Sequence, residues 1–305
     1  MQNTNKKQII GIIWMVLHCL FVSVILAMVR SASDRHFNVF QTTFFYSFFT
    51  FLFSFIWLVF IKKGDLKQKF QVESKHYLHI ARGILGATSM IIFFYTLTLM
   101  PLTEARAIAS TCPLVSSLFA ILFLKEKTGI YRIIGLFCGF FGGLIIINPT
   151  GAGFSYASLL VLVSVIMWAI IDQIIRMLGK RESIAIQMCY YTFIMSLICS
   201  VPAFYYWQTV TFTDSLFFII MGMIFVFNSA SVSQALKHAD VNTVMPFDFS
   251  GMVFTIIIAY LAFGEIINFH TFLGSVIIII STLYVIHREG RRAKKIHEAD
   301  LKTPG

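Results

Sequence analysis

The sequence predicts an all-α integral membrane protein with ten transmembrane helices, arranged as two inverted repeats of five helices. Three observations lead to this prediction. Hydrophobic residues make up 58% of the 305 residues and charged residues only 12%, whereas a soluble domain carries about a quarter charged residues. Apolar runs of about twenty residues, each long enough to cross a membrane as a helix, recur along the whole chain. The two halves of the chain also resemble each other.

The apolar runs divide the chain into ten predicted spans joined by short loops. The first span follows two lysines, as a signal peptide does, but its apolar stretch is longer than a signal core and more spans follow. We therefore expect a retained helix. The spans cover residues 8–29, 38–61, 76–99, 101–124, 130–147, 155–178, 183–207, 212–236, 241–263 and 269–287.

The distribution of basic residues predicts the orientation of the chain. Its net charge is +10, with 24 lysines and arginines. When loops are assigned alternately to the two sides, all of these fall on the side of both termini except Arg30, Arg35 and Arg106. Arg82 lies at a helix end on that same side. Because basic loops stay in the cytoplasm, both termini are predicted to be cytoplasmic. The pattern indicates membrane lipid as a partner rather than nucleic acid.

The sequence lacks the motifs of metal binding, nucleotide binding and catalysis. The cysteines, five in number, lie inside predicted spans at unrelated spacings, which predicts neither a metal site nor disulfides. The sequence has no GxxxxGK phosphate loop, HExxH or GxSxG motif. We therefore expect no cofactor and no enzymatic activity.

An internal repeat is the most informative feature of the sequence. At an offset of 139 residues, Glu126 falls on Glu265 and Gly135 falls on Gly274. Each copy contains a long apolar helix, a glutamate at its end, a short link and a final helix. With five spans per repeat, an odd number, the second copy crosses the membrane with the opposite orientation. Inverted repeats of this kind are typical of secondary transporters, with a site between the halves.

The repeat predicts the domain organisation. The first repeat is predicted over residues 1–150, the second over 151–290, and a basic cytoplasmic tail over 291–305.

Residues 82–127 resemble the first-repeat signature of the EamA-type drug/metabolite transporter superfamily. The matching residues are Arg82-Gly83 at the start of span three, Pro101, Leu102 and Ala105 at the start of span four, Pro113 within it and Glu126 at its end. Residues 235–265 resemble the matching segment of the second repeat. The resemblance implies ten helices around a central cavity lined mainly by spans 1, 3, 4, 6, 8 and 9, in a bacterial inner membrane.

Within the superfamily, the Arg-Gly pair and the Pro-aromatic-x-aromatic start of span nine most resemble the S-adenosylmethionine uptake carriers of intracellular bacteria. The resemblance implies a secondary transporter that moves a small polar metabolite, S-adenosylmethionine in particular, by alternating access. The alternatives are an exporter of amino acids or drugs with the same fold and, from other classes, a channel or an intramembrane enzyme.

Asp248 is an acidic residue within span nine, about seven residues or roughly 10 Å along a helix. An ionisable residue in lipid costs ~2.5–3.5 kcal/mol and usually faces protein or water. Two interpretations stay open. Asp248 lies in the first turn of a helix that begins at Pro246, or it faces a cationic substrate beside the aromatic ring of Phe247.

Arg106 lies about one turn into span four, just after Glu104. Two interpretations stay open. In the first, both are interfacial charges and Arg106 extends to the surface. In the second, Arg106 binds a substrate carboxylate through its planar guanidinium, and Glu104 contributes to gating. Because Arg106 and Asp248 start from opposite faces of the membrane, it stays open whether one substrate reaches both.

Two further sites are candidates for proton coupling. Asp172 and Arg176 lie four residues apart on one helical face, so that they form an internal ion pair or Asp172 carries protons. His18 falls near the middle of span one, either as a packing residue or in a proton-linked role.

Five polar or aromatic residues lie on helices that the family uses to line its cavity, and each is either a packing or a substrate-binding residue. They are Trp14, Tyr95, Trp168, Asn228 and Gln234.

The ends of the repeats carry two more candidates. Glu126 and Glu265 lie at helix ends, where capping or gating is expected rather than substrate contact. In span five, Gly135, Gly139 and Gly143 form two overlapping GxxxG motifs, which allow helices to approach closely. They serve packing within the monomer or, alternatively, a homodimer contact.

Overall fold

A computed structural model of the chain describes residues 2–60, 76–124, 130–147, 155–178, 184–239 and 244–300. Within these ranges the chain is helical, without a β-strand. The helices are α1 (Gln2–Asp34), α2 (Val39–Phe60), α3 (His76–Thr96), α4 (Leu102–Ala109), α5 (Cys112–Leu124), α6 (Ile130–Ile147), α7 (Tyr156–Leu178), α8 (Ile184–Tyr205), α9 (Phe212–His238), a 3-10 segment (Met245–Phe249), α10 (Ser250–Phe263) and α11 (Phe269–Asp300).

The helices are those of an integral membrane protein. In the described part of the chain, α1, α2, α3, α7, α8 and α9 are each long and apolar enough to cross a membrane, and shorter apolar stretches lie at 137–147, 247–263 and 269–281. Large apolar side chains such as Leu197, Val201 and Phe227 are exposed on the outer surface, where acyl chains would cover them. The prediction of a multi-pass membrane protein is confirmed, and the count of ten spans stays a prediction.

Several helices begin at a polar residue that caps their free N–H groups. The Asn38 side chain accepts from the backbone N–H three residues on, at 2.8 Å, where α2 begins. Asn268 does the same at the start of α11, at 2.7 Å. At the start of α9, Thr211 and Asp214 form a capping box, in which each side chain accepts from the other residue's backbone N–H. These caps fix three helix starts next to short loops.

Two predicted spans are broken close to their starts. In span four, α4 ends at Ala109 and α5 begins at Cys112. Pro113 follows directly, and a proline removes a helical hydrogen bond and clashes with the carbonyl four residues earlier. Span nine opens with a 3-10 segment in which Pro246 occupies the first turn. Gly264 ends α10 with a φ of 66°, a conformation that glycine adopts at low cost.

The helices of the two halves pack across each other rather than each half packing on its own. Helix α1 packs against α9 and α10, α3 packs against α7 and α8, α2 packs against α8 and α9, and α6 packs against α11. Helices α6 and α11 approach closely at two glycines. A Cβ on Gly142 would lie 2.9 Å from the Gly274 carbonyl oxygen, and a Cβ on Gly274 would lie 2.5 Å from the Gly142 oxygen.

The glycine motifs of α6 face the interior of the chain. Gly135, Gly139 and Gly143 are all buried. A Cβ on Gly139 would collide with Leu114, and one on Gly143 would lie 3.5 Å from Thr111. The structure therefore favours packing within one chain over a homodimer contact through these three residues.

Candidate substrate cavity

A cavity lies among six helices of the protein. Its volume is about 130 Å³. Its wall is formed by Val22, Ile25, Leu26, Tyr46, Met90, Phe93, Phe94, Arg106, Ala109, Trp168, Phe225 and Asn228. These residues belong to α1, α2, α3, α4, α7 and α9. Helix α2 contributes through Tyr46, although span two was not expected to line the cavity.

Three of the predicted substrate-binding residues meet on this wall: Arg106, Trp168 and Asn228. Arg106 Nε, Trp168 Nε1 and Asn228 Oδ1 are buried, and each is without a hydrogen-bond partner among the described residues. A buried polar group without a partner costs free energy, so such groups are rare in folded proteins and call for an explanation.

Aromatic rings form most of the remaining wall. The Trp168 ring packs against Phe93 with 4.9 Å between ring centroids. Tyr46 packs edge-on against Phe94 at 5.7 Å and against Phe225 at 5.0 Å. Such edge-to-face contacts hold the rings in fixed orientations. Their faces suit a planar base or a cation.

The guanidinium of Arg106 lies against the start of α10. A Cβ added to Gly251 would lie 2.7 Å from Arg106 Nη2, so the absence of a side chain at Gly251 makes room for the arginine. Gly251 follows Asp248 by three residues, which is about one helical turn. Arg106 and Asp248 therefore occupy neighbouring positions, although they start from opposite predicted faces.

Asp248 is not among the residues of the cavity wall, and the interpretation that it faces a substrate stays a prediction. It lies in the first turn of the 3-10 segment that contains Pro246. The same carboxylate faces α1: its Oδ1 lies 3.9 Å from His18 Nε2 and accepts from Cys19 Sγ at 3.5 Å. Its side chain is 35% exposed.

His18 connects Asp248 with the cavity wall. Its Nδ1 lies 3.4 Å from the backbone oxygen of Asn228. A carbonyl oxygen only accepts hydrogen bonds, so this contact requires the proton on Nδ1. Nε2 then faces the Asp248 carboxylate, and this arrangement is attractive only when one more proton sits on the imidazole or on the carboxylate.

The two acidic residues near the start of α4 make structural contacts. The Glu265 carboxylate accepts from the backbone N–H of Leu102 at 3.0 Å and of Thr103 at 3.3 Å, so it caps α4 from the far end of α10. Glu104 accepts from the Asn268 side chain at 2.5 Å. Both acids thus link α4 to the segment between α10 and α11.

The remaining predicted residues lie away from the cavity wall. Tyr95 is 43% exposed and Phe247 is 39% exposed. Trp14 packs on the small cluster of Met15, Ala235 and Val244. The Gln234 backbone oxygen is bonded by His238 at 2.9 Å, and its half-buried side chain is not part of the wall.

Two candidates depend on parts of the chain outside the description. Glu126 lies outside the described residues. Asp172 is half-buried on α7, and the side chain of its predicted partner Arg176 is likewise outside the description. Among the described residues, no group of three or more His, Cys, Asp or Glu side chains is placed to hold a metal ion.

The sequence reasoning missed Tyr46, Phe93 and Phe225 as wall residues. The chain has 33 phenylalanines and 11 tyrosines, and nothing in their local sequence separates those facing the cavity from those facing lipid. The one available signal was the helix on which each residue lies, and for Tyr46 that signal pointed elsewhere.

A cavity of charged, polar and aromatic groups among membrane-spanning helices is the kind of site that transporters of small molecules use. The chain belongs to the EamA-like transporter family, whose sequence profile matches residues 9–148 and 155–287. It is a transporter and not an enzyme.

Two named relatives and one solved structure accompany the family match. The S-adenosylmethionine uptake transporter of Rickettsia bellii is 29% identical, over 97% of this chain and 99% of that protein. The riboflavin transporter of Vibrio cholerae is 24% identical, over 78% of this chain and 80% of that protein. A solved structure, described as the crystal structure of a protein, matches 92% of this chain and 96% of its own chain. The TM-score is 0.64 at 15% sequence identity, so the two proteins share a fold.

Proposed function

We propose that this protein is a secondary carrier that takes up S-adenosylmethionine across a bacterial inner membrane by alternating access. The observation that carries the proposal is the cavity itself, where Arg106 and a set of aromatic rings meet, with the Asp248–His18 pair one contact away. Relatives named for S-adenosylmethionine uptake, which match nearly the whole chain, support the substrate.

The charge of the site favours S-adenosylmethionine over riboflavin. S-adenosylmethionine carries a carboxylate, an ammonium, a sulfonium and a planar adenine. Arg106 suits the carboxylate, Asp248 suits a cationic group, and the rings around Trp168 suit the adenine or the sulfonium. Riboflavin is uncharged, so it would leave the Arg106 guanidinium without a counter-ion.

The packing of the helices supports two inverted repeats of five spans each. In span numbers, the contacts join one to eight, three to six, two to seven and five to ten. Exchanging each span with the one five positions away maps this set of contacts onto itself, as a two-fold axis between repeats requires. The two segments matched by the family profile divide the chain at the same place.

The small cavity supports alternating access. Sites for drug-sized ligands usually measure about 300–1,000 Å³, whereas this cavity measures about 130 Å³. A cavity of this size suits part of S-adenosylmethionine, and in the proposed mechanism the halves move to admit the whole molecule. The proposed orientation, with both termini in the cytoplasm, is supported by the basic loops on that side.

We further propose that His18 and Asp248 hold the proton that is coupled to transport. The charged and titratable groups facing His18 are Asp248 from the 3-10 segment, Arg106 from α4 and the neighbouring Cys19. Arg106 disfavours a second positive charge there, so a bound cationic substrate and the extra proton compete for the same place.

The test is counterflow in liposomes that contain the purified protein. Vesicles loaded with unlabelled S-adenosylmethionine should accumulate labelled S-adenosylmethionine from outside, in a saturable manner, with all ion gradients collapsed. Empty vesicles with the same protein should not. Equal uptake by loaded and empty vesicles would indicate a channel. No uptake by a protein that elutes as a folded species would remove S-adenosylmethionine as substrate.

The competing function is export of amino acids or drugs by the same fold. It is tested by the direction of net flux in cells with a normal membrane potential. Accumulation of labelled S-adenosylmethionine above the external concentration supports uptake. Faster loss of a preloaded amino acid or drug, without accumulation of S-adenosylmethionine, would support the exporter.

A further inference from the structure

Three residues of the cavity wall each carry a buried polar atom that has no hydrogen-bond partner among the described residues. The donors are Arg106 Nε and Trp168 Nε1, and the acceptor is Asn228 Oδ1. All three residues line the same cavity, and the rest of its wall is apolar or aromatic. Each buried group would be destabilising unless a ligand satisfied it for part of the transport cycle.

Each of the three groups is held in position by its surroundings. Arg106 Nη2 is seated in the space left by the missing side chain of Gly251. The Trp168 ring is fixed against Phe93. Asn228 belongs to α9, and its backbone oxygen is engaged by His18. Groups fixed in advance bind a ligand without the cost of ordering side chains.

We propose that this cavity receives the α-amino-acid end of the substrate. The carboxylate would accept from Arg106 and Trp168, and the ammonium would donate to Asn228 Oδ1. A carboxylate needs donors and an ammonium needs acceptors, which is the set the wall provides. The identity of the substrate rests on the function proposed above, whereas the α-amino-acid chemistry rests on these three residues.

The size of the cavity agrees with this assignment. Its volume of about 130 Å³ is below the roughly 300–1,000 Å³ of sites that enclose a drug-sized ligand. The cavity therefore suits one end of the substrate rather than the whole molecule.

The experiment compares three competitors of labelled S-adenosylmethionine uptake by the wild-type protein in liposomes. S-adenosylhomocysteine keeps the amino-acid end, decarboxylated S-adenosylmethionine lacks the carboxylate, and methylthioadenosine lacks the whole amino-acid end. We expect S-adenosylhomocysteine to compete within about 10-fold of the substrate. The decarboxylated compound should be roughly 100-fold weaker, as expected when charge-assisted hydrogen bonds are lost.

Variants of the wall residues test which side chain makes the protein prefer compounds that carry the carboxylate. Arg106→Gln should lower apparent affinity for S-adenosylmethionine to the level of the decarboxylated compound, while changing affinity for the latter less than about 3-fold. Arg106→Lys keeps the positive charge but lacks the paired N–H donors of the guanidinium. It is the variant to measure if Arg106→Gln does not fold. Trp168→Phe removes the N–H but keeps a ring, and should cost about 5-fold on the carboxylate-bearing compounds only. Each figure is an order-of-magnitude expectation for lost hydrogen bonds.

Arg35→Gln is the matched control. Arg35 is an exposed arginine paired with Asp214 at 3.4 Å, away from the cavity, so its loss should leave the ratio of competitors unchanged. If the wild-type protein accepts the decarboxylated compound as readily as S-adenosylmethionine, or if Arg106→Gln weakens both equally, the assignment is wrong and the carrier function stands.

Failure of the proposed substrate gives a different result. If S-adenosylmethionine is not taken up at all, thermal stabilisation of the purified protein by L-methionine and other amino acids is compared with that by their amino alcohols, which lack the carboxylate. Stabilisation by the acids alone, lost in Arg106→Gln, upholds the amino-acid site. Stabilisation by both or by neither overturns it.

Discussion

The two broken spans begin in comparable ways but carry opposite charges. Helix α4 starts directly after Pro101 and presents Arg106, whereas the 3-10 segment starts with Pro246 in its first turn and presents Asp248. The start of α4 is capped by Glu265 from the other half of the chain. The start of the 3-10 segment has no side-chain cap among the described residues.

The difference shows how one architecture, used twice, supplies two complementary groups. A broken helix directs its start toward the protein interior, where irregular backbone is tolerated only if it lines a cavity or is covered by protein. The architecture thus determines where the charged side chain lies, and the residue determines its sign. The result is a cation that lies against Gly251 and an anion three residues before that glycine in the chain.

The largest effect is expected from Asp248→Asn, which removes the anionic half of this comparison. We expect uptake of S-adenosylmethionine to fall about 50-fold, as for the loss of a buried charge-assisted contact. Initial rates in liposomes measure it. Asp214→Asn, at the start of α9, serves as a control for a carboxylate in a first turn. Equal rates for wild type, Asp248→Asn and Asp214→Asn would mean that Asp248 only starts a helix.

Gly251→Ala tests the cationic half without changing any charge. The added methyl would displace the end of the Arg106 side chain, which it would approach to 2.7 Å. A flexible side chain moves at low cost, so the protein should fold normally while uptake falls about 10-fold, since misplaced groups reduce transport of a bound substrate. Gly143→Ala, where the nearest atom is 3.5 Å away, is the matched control. Unchanged uptake in Gly251→Ala would mean that Arg106 is not part of the substrate site.

His18→Gln tests whether the Asp248–His18 pair carries the coupled proton. Because the proton and the cationic substrate compete for the same place, an acidic interior should accelerate uptake into wild-type vesicles by about 5-fold, an order-of-magnitude figure for a single titrating group. His18→Gln should transport at a rate that no longer responds to the imposed gradient. His238→Gln, a variant of a histidine bonded to its own helix, should keep the response. A response that persists in His18→Gln would assign the proton elsewhere.

The smallest effect is expected at the cap of α4. Glu265→Ala removes the acceptor of two backbone N–H groups and should cost about 1 kcal/mol, as other capping substitutions do. The midpoint of thermal unfolding in detergent should fall by roughly 2–4 °C. Glu265→Gln keeps an acceptor oxygen and should lose less. An unchanged midpoint in both variants would show that the cap does not contribute to stability.

The sequence predicted the positions of the helices far better than it predicted which side chains on each helix face the cavity. On α3, Tyr95 was selected and Phe93 was not, although the two are neighbours in the chain. Two positions along a helix differ by about 200° around its axis, which separates the cavity from the exposed surface. Arg106, Trp168 and Asn228 were identifiable because polar and charged groups in apolar spans rarely face lipid.

Contacts between helices that are distant in the chain could not be predicted from the sequence, for a different reason. Glu265 was correctly expected at a helix end, but the helix it caps is not its own, and only the packing of α10 beside α4 reveals this. The proximity of Arg106 to Asp248 likewise depends on a long side chain reaching across to Gly251. Such contacts are set by packing and not by any local pattern.

The glycine contact between α6 and α11 has a consequence for movement. Where Gly142 meets Gly274, a Cβ on either glycine would approach the carbonyl oxygen of the other, and the side chains of Ile146, Ile277 and Ile278 pack around this contact. In the proposed mechanism, the close approach of the two backbones acts as a pivot between the halves. A methyl group added at either glycine would push the two helices apart at that pivot.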